Sequence, residues 1–173
     1  MQYTRLNATG RTELMSALAR MPQWLRDACA GLSADLAVTP GPAGAFSPVE
    51  QVWHLADLER EGFGLRIRRL QCENSPQLAD FDGTRIAQER NYRMLSLADG
   101  LRAFAAARAD NLAALAAVPV ADWSRAGTQE GVGPVTLCDM PVFLQQHDAS
   151  HMAEIQEWYR HVGIDPLAME NHP

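Results

Sequence analysis

The sequence predicts an all-α protein built as a four-helix bundle. Three observations lead there. Four long segments place apolar residues at helical spacing; three of the four open on a capping sequence; and Pro- and Gly-rich stretches separate them. At 173 residues the chain has room for one domain with a real core, and we place that core at about residues 11–163.

The first segment runs from about Thr12 to Ala30. Leu14, Leu18, Met21, Leu25 and Ala28 recur at spacings of four and three, one face of a helix, and Pro22 is expected to bend it. A Pro/Gly-rich loop, 38–45, follows. Ser47-Pro48-Val49-Glu50 then supplies a Ser N-cap, Pro at the first helical position and Glu at the third, which is a capping box. This second helix is expected to reach Leu70, with His54, Leu58 and Leu65 aligned along it.

Residues 72–83 read as a connection and 84–95 as a short helix. Ser96-Leu97-Ala98-Asp99 opens the third long helix. Leu97, Leu101, Phe104, Leu112 and Leu115 share a face, and the helix is expected to end near Val118-Pro119. Gly127, Gly131, Gly133 and Pro134 mark 120–135 as a loop with a short hairpin. Thr136-Leu137-Cys138-Asp139 is another capped start. The fourth helix extends to His161 or Val162, with Gly163 suited to terminate it. Pro141 falls early in this helix, at an apparent cost of one backbone hydrogen bond.

Composition excludes several functions. The net charge of −6 argues against phosphate-backbone binding, so no nucleic-acid partner is expected. Arg66, Arg68 and Arg69 form the one local basic cluster, read as the cationic end of a helix. All fifteen basic residues are arginine. Without lysine there is no Walker A loop and no Schiff-base chemistry. No run approaches the about 18 apolar residues of a membrane span. Residues 1–10 are polar and unlike a signal peptide, and Cys29, Cys72 and Cys138 form no CxxC, so a cytoplasmic protein is expected.

The fourth helix carries the chemistry. Leu137, Met140, Leu144, His147, His151, Ile155, Trp158 and Val162 form one inward stripe in which two positions are histidine. Side chains four apart point the same way, so both imidazoles can meet one ion. Buried unpaired imidazoles are costly, and a shared metal removes that cost. His54, inward on the second helix, would complete a three-histidine site with coordination positions left open, the pattern of a catalytic rather than a closed structural metal. Glu50, Asp57 and Glu154 lie three or four residues from these histidines and are candidates to orient them. His161 and His172 read as incidental.

Other metal chemistries fit less well. His147-Asp148-Ala149-Ser150-His151 is an HExxH with Asp for Glu, one methylene short for the usual protease base, and Glu170 as third ligand falls in the tail. A di-iron bundle needs two ExxH motifs and further glutamates, and there is a single DxxH.

Trp53-His54-Leu55-Ala56-Asp57-Leu58-Glu59 on the second helix and Gln146-His147-Asp148-Ala149-Ser150-His151-Met152-Ala153-Glu154-Ile155 on the fourth resemble the DinB-like superfamily, the YfiT-type metal proteins among them. Phe46-Ser47-Pro48 and Gly133-Pro134-Val135-Thr136-Leu137, which lead into those helices, share the likeness. It spans roughly residues 11–163. It implies a four-helix bundle with long crossover connections and one divalent ion, nickel or zinc first and iron or manganese next, on His54, His147 and His151. It further implies homodimers, and transfer of a low-molecular-weight thiol such as bacillithiol or mycothiol to a small-molecule electrophile, or a related hydrolysis. Many members carry two adjacent histidines followed by Arg-Gly-Gln, whereas Met152-Ala153-Glu154 follows His151 here. The alternative outside enzymology is a stress-associated bundle that binds metal or a small apolar ligand without turnover, with Trp53, Trp158 and methionines lining its pocket.

Overall fold

In the computed structural model, which describes residues 6–164, the first segment is two helices: α1 (Ala8–Leu18), capped by the Asn7 side chain, and α2 (Met21–Cys29). Pro22 does not bend a continuous helix. It occupies the first turn of α2, where its missing N–H has no partner to lose. Leu14, Leu18, Met21 and Leu25 are buried as the spacing predicts. A single turn, α3 (Ala34–Ala37), and a tight turn at Pro42–Gly44 lead to Ser47.

The second segment is α4 (Pro48–Asp57), a π-helical turn over Leu58–Phe63, and α5 (Gly64–Cys72). The π turn adds one residue to the register. It explains why Leu65, expected on the inward face, is 46% exposed, while Phe63, Ile67 and Leu70 are buried. The turn is held at its carbonyl. The Glu59 C=O accepts from Gly64 N–H and, at 2.7 Å, from the Asn111 side chain. A Cβ on Gly64 would lie 2.7 Å from Asn111 Oδ1, so only glycine admits this approach.

Beyond α5 come β1 (Gln77–Leu78), α6 (Gly83–Glu89), a turn at Tyr92–Met94 and α7 (Leu97–Ala116). The expected hairpin is present as β2 (Ala126–Gln129) paired antiparallel with β3 (Gly133–Thr136). β1, read from sequence as plain connection, adds a parallel third strand through Gln77↔Thr128. Too short for an alternating pattern, β1 leaves no mark in the sequence. The Thr136/Asp139 capping box closes a 3₁₀ turn, Leu137–Asp139, and α8 (Met140–Val162) starts after it. Pro141 therefore lies in the first turn of α8 and costs nothing.

The architecture is a four-helix bundle of α1/α2, α4/α5, α7 and α8, with long connections over residues 73–96 and 117–139. Two apolar clusters fill it: one around Leu18, Ile67, Leu70, Leu115 and Leu144, the other around Leu25, Val52, Phe104, Ile155 and Trp158. Among the described residues, no helix is long and apolar enough to cross a membrane.

Candidate metal centre

The Ser47/Glu50 capping box anchors α4, and His54 lies two turns into it. His147 and His151 are one turn apart on α8. The three side chains meet: one nitrogen from each lies within 4.8 Å of the others. His54 is 5.5 Å from His147 and 4.9 Å from His151 between ring centroids. Phe46, Phe81 and Phe63 wall the cluster, with ring centroids 5.6 to 6.0 Å from the nearest imidazole. Gly83, at the start of α6, supports the His54 ring; a Cβ there would come within 2.3 Å of Cε1.

Burial keeps His54 and His147 neutral. Desolvation, followed by the His151 charge, lowers His54 to about 4. Desolvation followed by the His151 and His54 charges lowers His147 to about 3. Hydrogen bonding from His151, against opposing burial, lowers Glu154 to about 2. The His151 Nδ1–H donates to Gln51 Oε1, and Gln51 Nε2 donates to Glu154 Oε2 at 2.8 Å. This arrangement places the His151 lone pair on Nε2, which faces His147 Nε2 at 3.1 Å. Nδ1 of His54 is buried with no hydrogen-bond partner.

These residues fit a divalent ion. Imidazole nitrogens sharing one ion at about 2.1 Å stand roughly 3.0–3.4 Å apart for angles between square and tetrahedral, and the His147–His151 pair has that separation. Three neutral nitrogen donors suit zinc, nickel or iron and are poor ligands for magnesium or calcium.

The three expected carboxylates part company. Glu154 stands beside His151, 3.3 Å from Nδ1. Glu50 does not touch a histidine: its oxygens take Ser47 N–H, the Ser47 hydroxyl and Arg93 Nε. Asp57 accepts from Arg60, Arg90 and the Tyr92 hydroxyl, and reaches His54 only through its field. Sequence reasoning missed Gln51, whose amide orients His151. Position 51, one turn before Leu55 on a largely buried helix, was the available signal. Asp148, the residue in the protease-like motif, is bound by Arg108 and so is unavailable as a base. The cysteines are free; burial holds Cys29 up at about 12. His161 is exposed, while Glu170 and His172 lie outside the described residues.

A helical bundle with three inward imidazoles from two helices defines a class, helical bundles with a histidine cluster that could hold a metal ion. Within that class the chain belongs to the DinB superfamily, whose family model matches residues 17–155. Among solved structures it is similar to YfiT from Bacillus subtilis, described as a probable metal-dependent hydrolase with an unusual four-helix bundle topology. The TM-score is 0.86 at 17% identity, over 95% of this chain and 94% of that one. No curated protein matches the chain by sequence.

Proposed function

We propose that the chain is a metal-dependent enzyme that uses His54, His147 and His151 to hold one divalent ion, zinc or nickel first, and transfers a low-molecular-weight thiol to a small electrophile. The convergence of three imidazoles, with one nitrogen from each within 4.8 Å of the others, carries this reading. When bound, the ion would lower the pKa of a thiol or water and polarise an electrophile.

The chain's own residues supply orientation and exclude water. Gln51 and Glu154 fix the His151 tautomer, Gly83 seats His54, and Phe46, Phe63 and Phe81 keep the surroundings apolar. Among the described residues, Glu154, the carboxylate beside the cluster, accepts from Gln51, and the His151 hydrogen bond helps to hold it down at about 2, which makes it a poor base. Asp57, Glu59 and Asp148 are each engaged by arginine. That favours a nucleophile activated by the ion, its proton released to solvent, over one activated by a carboxylate. A related hydrolase, the activity described for YfiT, would use the same ligands.

The test incubates zinc- and nickel-loaded protein with bacillithiol, mycothiol or glutathione and monochlorobimane, and follows the fluorescent thioether. We expect turnover with at least one thiol, abolished in His151→Ala. Ester hydrolysis without thioether formation would favour the hydrolase; neither activity across a broad panel would leave the non-enzymatic bundle.

A further inference from the structure

The bundle interior contains a second polar cluster. Arg108 on α7 has 1% of its side chain exposed, between Glu59 at 2% and Asp148 at 8%. One edge of the guanidinium meets Glu59, with Nε to Oε1 at 2.8 Å and Nη2 to Oε2 at 3.0 Å. The next edge meets Asp148, with Nη1 to Oδ2 at 2.7 Å and Nη2 to Oδ1 at 2.8 Å. Nη1 also donates to the Leu18 carbonyl, and the Phe104 ring lies 4.9 Å beneath Cζ. Asn111, one turn further along α7, donates to Glu59 Oε1.

Burying three charges is expensive, and apolar residues of similar volume would serve stability as well or better. The cluster therefore calls for a reason beyond holding the helices together. Its position supplies one. Asp148 directly follows His147, and Glu59 lies five residues after His54, in the π turn. Arg108 thus joins the rod that carries one imidazole to the helix that carries two. Apolar helix faces tolerate sliding, whereas a planar guanidinium gripped on two edges fixes both distance and rotation. Metal affinity is sensitive to displacements of about 0.5 Å.

We propose that Glu59, Arg108 and Asp148 form a positioning clamp that sets the separation of His54 from His147 and His151, and thereby the affinity and geometry of the metal site. The inference rests on the metal reading above.

The experiment measures Zn²⁺ affinity by chelator competition and the visible spectrum of the Co²⁺-loaded protein. The variants are Arg108→Lys, which keeps charge but loses the fork, and Glu59→Gln, which keeps volume. Leu115→Ala, which empties a buried apolar site on the same helix, controls for lost stability alone. We expect Arg108→Lys and Glu59→Gln to weaken Zn²⁺ binding at least tenfold and alter the Co²⁺ bands while helicity is retained. Leu115→Ala should leave both readouts unchanged. Should Arg108→Lys fail to fold, Glu59→Gln decides. Parental affinity and spectrum in a folded clamp variant, or equal losses in Leu115→Ala, would overturn the clamp. A parent that binds no ion would overturn the metal reading, and the clamp with it.

Discussion

His151 and Gln51, 100 residues apart in sequence, are hydrogen-bonded partners between α8 and α4. The amide oxygen takes the Nδ1 proton, and the amide nitrogen in turn donates to Glu154 at 2.8 Å. One glutamine thus decides which imidazole nitrogen is left to bind an ion.

Removing that amide exposes its role. Gln51→Leu should keep the helical content and lower Zn²⁺ affinity roughly 10- to 100-fold, the usual loss when the partner of a histidine ligand is removed. Chelator competition against the parent measures it, and an unchanged affinity would show that His151 needs no such partner.

Gly83 is a steric test. Its backbone would accept alanine, but the added Cβ would fall 2.3 Å from the His54 ring. Gly83→Ala should displace that imidazole and reduce metal binding, at a cost in stability of about 1–3 kcal/mol. Metal titration and thermal denaturation report the two effects; equal binding by the variant would mean that His54 relaxes freely.

The π turn provides another. Gly64→Ala would force its Cβ to within 2.7 Å of Asn111 Oδ1 and 2.9 Å of the Glu59 carbonyl. Urea unfolding should show a loss of about 1–3 kcal/mol. Wild-type stability would indicate that the turn can return to an ordinary α-helix.

Acidity acts through the same histidines. His54 and His147 titrate at about 4 and about 3 in the fold, below the ordinary 6.5. Between those values the unfolded chain binds more protons, so stability falls as pH falls. It is fully present above about pH 6.5 and drains as the pH drops toward 4 and then 3. The metal-free protein should show a melting temperature that declines from pH 6.5 downward, with a shallower decline in His147→Phe. Identical slopes would place the acid sensitivity elsewhere.

Much of this was legible because local rules and packing agree. Ser47 with Glu50 and Thr136 with Asp139 are capped starts in sequence and in structure. On α8, Met140, Leu144, His151, Ile155 and Trp158 of the expected stripe are buried, and His147 is half-buried beside His151. The interior of α7 was hidden. Its apolar pattern breaks between Phe104 and Leu112, where the buried positions are Arg108 and Asn111. Hydrophobic periodicity treats such residues as solvent-facing, although here each finds a buried partner. The π turn was hidden for a related reason: it depends on Gly64 meeting Asn111, a tertiary contact without a local signature. Leu65 was misplaced as a consequence.

The central claim is that His54, His147 and His151 share one ion. Elemental analysis of untagged, chelator-free protein, beside His54→Ala, His147→Ala and His151→Ala, tests it most directly, with circular dichroism on each sample. We predict about one equivalent of a divalent transition metal in the parent, its loss in all three variants, and helicity retained throughout. A parent without metal even after reconstitution, or a single-histidine variant that keeps its full equivalent, would contradict the shared site.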